Sequence, residues 1–423
     1  MKLKFMALAA PIVVPAALEG AVLAAPVHIT FMHWGGESYD KRYDAMLADF
    51  MKQNPDIVVE RLDPGSGANY DNKLAAMIAA GAPPDVYEVD MGDLITFNER
   101  AVDLTPFVKA DMSFNYQQIP AVVRDIFALN GKIVGFPDNV SPNIYFFNVD
   151  LFRAAGIELP SDAWKRDAWT WEMLESDAKK LTKTDASGKV SVYGTQAGTG
   201  QALTRFFMWS NNAPEVDDVY HPTQSLYAQP NAIEAIAFVQ RLHAQDHVAM
   251  PDGGKQRFQN GNIAMWGRWS SGISSFRNVT FPFGLAPYPK GPAAGARYAS
   301  DVGTSGYIVD KDSKHIEAAA KLSLYMGSER AAKLIGELGP GIPIRPDAHI
   351  SSFPKPLING DDIYALSALP DRGNAVRLLS ANQAALNDVV DEVLPQVYTG
   401  KISPKNGAEE IAQRQNAIIN STN

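Results

Sequence analysis

Apolar and polar positions along this chain follow two periods, and the switches between them predict its elements. Val27 to Met32 (VHITFM) is rich in β-branched and aromatic residues and reads as a first strand. From Ser38 to Gln53 the apolar residues Tyr39, Tyr43, Met46, Leu47, Phe50 and Met51 recur at helical spacing, and Asn54-Pro55 supplies the stop. Ile57 to Leu62 predicts a second strand, Asn69 to Ala80 a second helix closed by Gly81, and Asp85 to Val89 a third strand. This alternation is the α/β signature of a largely parallel sheet.

The pattern changes in the middle of the chain. Lys132 to Phe136 and Asn143 to Asn148 are β-prone segments joined by Pro137-Asp138-Asn139-Val140-Ser141-Pro142, whose two prolines keep the link extended. The link reads as a crossing between two lobes, and Tyr298 to Ile308, with Gly303 and Gly306, as a second one. Helices are expected over about 171–182, 201–211 and 230–246. The C-terminal part is helix-dominated, with spans at about 314–326, 328–338 capped by Ser328, 374–397 and 404–419.

Composition then narrows the class. With 423 residues the chain has room for two or three domains at roughly 100 to 200 residues each. Its 38 Lys and Arg against 47 Asp and Glu leave a net charge of -9, so no broad positive field exists for nucleic acid. Cysteine is absent, which excludes disulfides, thiolate metal sites, thiol nucleophiles and a lipidated cysteine. Residues 1–25 carry Lys2 and Lys4, an apolar run from Phe5 to Leu18, and small residues ending Val22-Leu23-Ala24-Ala25, the order of a secretory signal peptide cleaved after Ala24 or Ala25, with 1–24 taken as the signal. That run falls short of the roughly 20 residues a bilayer needs. A monomeric periplasmic protein with no lipid anchor is expected.

Several segments, in order, resemble the extracellular solute-binding proteins of sugar ABC importers, the family that includes maltose-binding protein. They are ITFMHW near the mature N-terminus, Tyr70 to Val86 (YDNKLAAMIAAGAPPDV), Gly131 to Phe152 (GKIVGFPDNVSPNIYFFNVDLF), Trp169 to Leu174, Phe258 to Trp269, Phe283 to Pro289 and Gly339 to Pro343. The resemblance implies an α/β, two-lobe periplasmic-binding-protein fold of type II kind, with discontinuous domains and two or three crossing segments. The expected division is 25–137 with 305–347 for the N-terminal lobe and 138–304 with 348–423 for the C-terminal lobe. It also implies capture of a sugar between the lobes and delivery to a membrane permease, without a cofactor and without catalysis.

A sugar offers hydroxyls to bidentate polar groups and C–H faces to flat aromatic rings. Trp266 and Trp269 in WGRW are candidates for stacking, and the alternative is that both fill the core. Trp34 and Asp90 follow predicted strands at their carboxyl ends, where α/β folds expose ligands. His33 and Glu37 flank Trp34 and join it. Asp138 and Asn139 lie in the first crossing, which the resemblance makes a frequent contact; Gly303 and Thr304 in the second could offer an N–H and a hydroxyl. Trp164, Trp169 and Trp171 read as packing. Arg268, Arg345 and Arg372 raise the variant reading of an anionic or acid-modified sugar, since an arginine fork pairs with carboxylate, sulfonate or phosphate.

Other chemistry finds little support. His243 and His247 have zinc-pair spacing, but HAQDH lacks the metalloprotease glutamate and a third ligand. GTSG at 303–306 is not a nucleophile elbow, and GSG at 65–67 is not a phosphate loop. A glycosidase-like enzyme is the runner-up, and a polyamine- or iron-binding protein the third reading.

Overall fold

A computed structural model describes residues 25–63, 68–197, 201–251, 258–339, 341–346, 348, 350–369 and 378–422. The expected signal segment and Arg372 lie outside the described residues. The strands, in chain order, are β1 (Val27–Met32), β2 (Ile57–Leu62), β3 (Val86–Asp90), β4 (Ala128–Leu129), β5 (Lys132–Ile133), β6 (Phe136–Pro137), β7 (Asn139–Val140) and β8 (Asn143–Asn148). They continue as β9 (Lys183–Thr184), β10 (Val190–Gln196), β11 (Ile263–Trp269), β12 (Phe283–Ala286), β13 (Ser305–Val309) and β14 (Ile342–Pro343).

Among the described residues these strands build two five-stranded sheets. One has the order β2-β1-β3-β13-β6 and the other β12-β8-β11-β10-β9. In the first, β1 runs parallel to β2 and β3, while β13 returns antiparallel beside β3, pairing Ser305 with Asp90. In the second, β8 lies antiparallel between β11 and β12, and β10 runs parallel to β11. Each sheet is the centre of one lobe.

The helix α1 (Glu37–Gln53) packs because its stripe faces the first sheet: Tyr43, Met46, Leu47 and Phe50 are all buried. Asn54 ends it, its backbone N–H donating to the Phe50 carbonyl. The second helix, α2 (Ala68–Ala79), lies over β3 with Tyr70 and Leu74 buried. Ser328 caps the helix Glu329–Leu338 as its sequence predicts, its hydroxyl accepting from the Ala331 N–H at 3.1 Å.

Three expected elements come out differently; of the helix expected over 374–397, residues 374–377 lie outside the described residues and the helix begins at Gln383 and runs to Tyr398. Lys132 to Phe136 is not one strand: β5 folds back on β4, and β6 joins the main sheet after Gly135. A Cβ on Gly135 would stand 2.9 Å from the Tyr307 carbonyl, so the chain can lie this close to β13 only without a side chain there. The span expected at 230–246 is α-helical from Pro230 to Gln240 and then widens into a π-turn over Arg241–Gln245.

Among the described residues the chain passes between the sheets three times. The first passage lies between β6 and β8, and the second leads into β13. The third falls between Ser352, whose N–H donates to Gly336 in the N-terminal lobe, and Pro356, whose carbonyl accepts from Phe283 of β12.

Candidate functional site

The two sheets point strand ends at a shared cleft. Its walls are Trp34, Tyr39, Glu88 and Asp90 from the N-terminal lobe and Trp269 and Ser271 from the C-terminal lobe. Asn139, Ser141, Gly303, Thr304 and Ser305 form its floor, around a cavity of about 260 Å3. A larger chamber of about 560 Å3 opens beside it under α2 and shares Trp34, Glu88, Asp90 and Ser305 with it.

Local chain geometry explains why these residues meet. Trp34 follows β1 and is 51% exposed, leaving an indole unfilled by its own lobe. Glu88 and Asp90 stand two apart on β3 and therefore share a face. Trp269 ends β11 and meets the second passage: a Cβ on Gly303 would come within 2.6 Å of its ring. The floor is knitted from the passages themselves, with the Ser141 N–H donating to the Gly303 carbonyl at 2.6 Å and the Thr304 hydroxyl to the Asn139 carbonyl at 2.8 Å.

Thus Trp34, Asp90, Asn139, Trp269, Gly303 and Thr304 come together at one cleft. Four other candidates do not. His33 is 1% exposed, its ring 4.1 Å from that of Tyr43 beneath the floor. Asp138, 1% exposed, turns away from the cavity to pair with Arg42 at 2.9 Å. Trp266 packs among Phe258 and Phe276 in the core, with Arg268 over its face. Arg345 is fully buried and holds the chain from inside, donating to the carbonyls of Gly327, Asn115 and Phe114 and to Gln118. Glu37 opens α1, but its side chain, like Arg372, lies outside the described residues. Trp169 and Trp171 are buried as packing residues.

Glu88 was not signalled by its type, although its period-two relation to Asp90 would have found it. Its carboxyl oxygen Oε2 accepts the Trp34 backbone N–H at 2.6 Å. Burial, together with the nearby Asp138 carboxylate, pushes its pKa up to about 8, so at neutral pH it is protonated and can both donate to and accept from a hydroxyl. Burial pulls His33 the other way, down to about 4, and its ring is neutral. Arg42 is opposed by burial too, but Asp138 outweighs that cost and its charge is held.

These shifts set opposite slopes of stability against pH. The Glu88 contribution is complete below the ordinary value of 4.5 and is lost as pH rises through about 8; the His33 contribution is complete above 6.5 and is lost as pH falls toward about 4. Thermal melts of the ligand-free protein are expected to fall from about pH 6 to about pH 9, and Glu88→Gln to flatten that decline. An unchanged decline in the variant would remove Glu88 as its source.

Among the described residues no group of three or more His, Cys, Asp or Glu could hold a metal ion. His243 and His247 line a separate groove on the C-terminal lobe with Tyr193 and Tyr398.

A periplasmic sn-glycerol-3-phosphate-binding protein, UgpB of Escherichia coli O1:K1, is 24% identical over 416 residues, covering 92% of this chain and 92% of that protein. An ABC substrate-binding protein of Listeria monocytogenes, solved in complex with cycloalternan, superposes with a TM-score of 0.77 at 23% identity, over 93% of this chain and 99% of that one. Maltose-bound MalE3 of T. maritima gives a TM-score of 0.72 at 22% identity, over 93% of this chain and all of that one (100%). These two share the two-lobe fold described above. The family model for bacterial extracellular solute-binding proteins matches residues 35–333, and the chain belongs to that family.

Proposed function

We propose that this chain is the periplasmic capture component of an ABC importer and that its ligand is a sugar or sugar derivative, carried rather than converted. The observation that carries this reading is the pairing of two indoles, Trp34 and Trp269, on opposite lobes across a cavity floored by hydroxyl and amide groups. Rings suit the C–H faces of a pyranose, while Glu88, Asp90, Asn139, Ser141, Thr304 and Ser305 suit its hydroxyls. A ligand touching both lobes makes its full set of contacts only when they close, so binding shifts the open and closed populations. The closed form is what a membrane permease would meet. We take the lobes to be 25–137 with 305–352 and 138–304 with 356–423, the boundary expected at 347 moving to the third passage, the protein to work as a monomer without nucleic acid or lipid anchor, and its export to depend on residues 1–24.

Thermal shift and calorimetry against neutral and acidic mono- and oligosaccharides and sn-glycerol-3-phosphate test this. A ligand at about 100 times its Kd should add about 2.7 kcal/mol of stability and be recovered chemically intact. Turnover of the sugar would favour the glycosidase reading, and stabilisation only by amines or iron the third reading. Silence across the whole saccharide panel would sink the proposal.

A further inference from the structure

Two of the three passages between the lobes meet at Asn139, and the strand that precedes the third pairs with it. Asn139 lies in the first passage, and its carbonyl accepts the Thr304 hydroxyl from the second. Its strand β7 pairs with β14, which leads toward the third. Its side-chain amide donates to Asp138 Oδ1 at 2.5 Å. Behind Asp138 stands Arg42 of α1, Nη2 to Oδ2 at 2.9 Å, and the two side chains are 0% and 1% exposed. The same guanidinium lies against Gly341, where a Cβ would come within 2.8 Å of Nη1, and 5.1 Å from the ring centre of Tyr39, a cleft wall.

One buried cation therefore touches the first passage, the approach to the third and the wall of the cavity. A buried ion pair seldom stabilises a fold more than apolar side chains of equal volume would, because both charges lose their water. What it does supply is direction, since a carboxylate between a guanidinium and an amide has one satisfied orientation. We propose that Arg42 and Asp138 are positioning residues for ligand capture: through Asn139 they hold the passages in the arrangement that forms the cleft floor, and so set how far the lobes open. The inference rests on the clamp reading above, but its test needs no ligand and fails separately from it.

Because the chain has no cysteine, Lys52→Cys and Lys401→Cys place one spin label on each lobe of the otherwise unaltered mature protein. Arg42→Met and Asp138→Asn should broaden the inter-lobe distance distribution and add a longer-distance component, and Arg42→Lys should restore the parent profile. Asp310→Asn is the control. It weakens a partly buried pair with Arg100 in the same lobe, at the end of β13 remote from the cleft, and should lower the melting temperature without moving the distribution. If a single charge variant fails to fold, Arg42→Met combined with Asp138→Asn, and separately Asn139→Ala, are read the same way. A distribution that superposes on the parent in every folded variant, or one that Asp310→Asn shifts equally, would overturn the proposal.

Discussion

Trp269→Ala is expected to weaken saccharide binding by about 2 kcal/mol, roughly 30-fold, the cost typical of removing a central aromatic anchor. Trp34→Ala should lose a similar amount of affinity while leaving stability almost unchanged, because the indole is already 51% exposed. Trp266→Ala provides the contrast. It empties a packed site beside Phe258 and Phe276, so it should cost about 3 to 5 kcal/mol of stability without lowering the affinity of the molecules that remain folded. Calorimetry of the three variants beside their melting curves separates the roles; unaltered affinity in both Trp34→Ala and Trp269→Ala would discard stacking across the cleft.

Gly303→Ala carries the second large effect, and on both measurements at once. The residue has φ +44°, and a Cβ there would stand 2.3 Å from the Ser141 carbonyl oxygen and 2.6 Å from the Trp269 ring. The left-handed conformation costs an alanine about 1 to 2 kcal/mol, and the overlap adds about 1 to 3 kcal/mol more. Relief requires either the first passage or Trp269 to move, and both belong to the cavity. A fall of roughly 2 to 5 kcal/mol in stability should therefore accompany at least a tenfold loss of affinity. Gly156→Ala isolates the backbone part, since that glycine has φ +66° and open space around it. If both variants behave alike, crowding at the floor is not what fixes Gly303.

The contrast between the tryptophans also shows how much of the site was legible in the sequence. Trp266 and Trp269 stand three positions apart on one strand, an odd offset, so they face opposite ways; of the two, Trp269 reaches the cleft. His33 and Trp34 just past β1, and Asp138 and Asn139 at the bend between β6 and β7, are neighbours that also part, one buried and one at the cleft. Residue type and position near a strand end marked the right stretches, but the choice between alternate faces depends on which side of the sheet the other lobe occupies. That information resides in the pairing of β13 with β3 and β6, contacts distant in sequence. Arg345 reads from its type as an anion contact and nothing local marks it as buried, because the carbonyl cage that consumes it is assembled from residues 114 to 118 and Gly327. The β1 to β3 region was legible because its apolar periods are local, whereas the short helices between residues 94 and 126 are too brief to declare a period.

The return of β13 beside β3 ties the order of events in synthesis to the final shape. Asp90 pairs with Ser305, so the first sheet cannot be completed until roughly 200 further residues have emerged, and the other lobe, whose core also draws on Val389, Val393, Leu394 and Ile411, is completed later still. Partners this remote make acquisition of the native state slow. If residues 1–24 direct export through a translocation channel, as we propose, sluggish collapse is an advantage, since it keeps the nascent strand pliable until it has reached the far side.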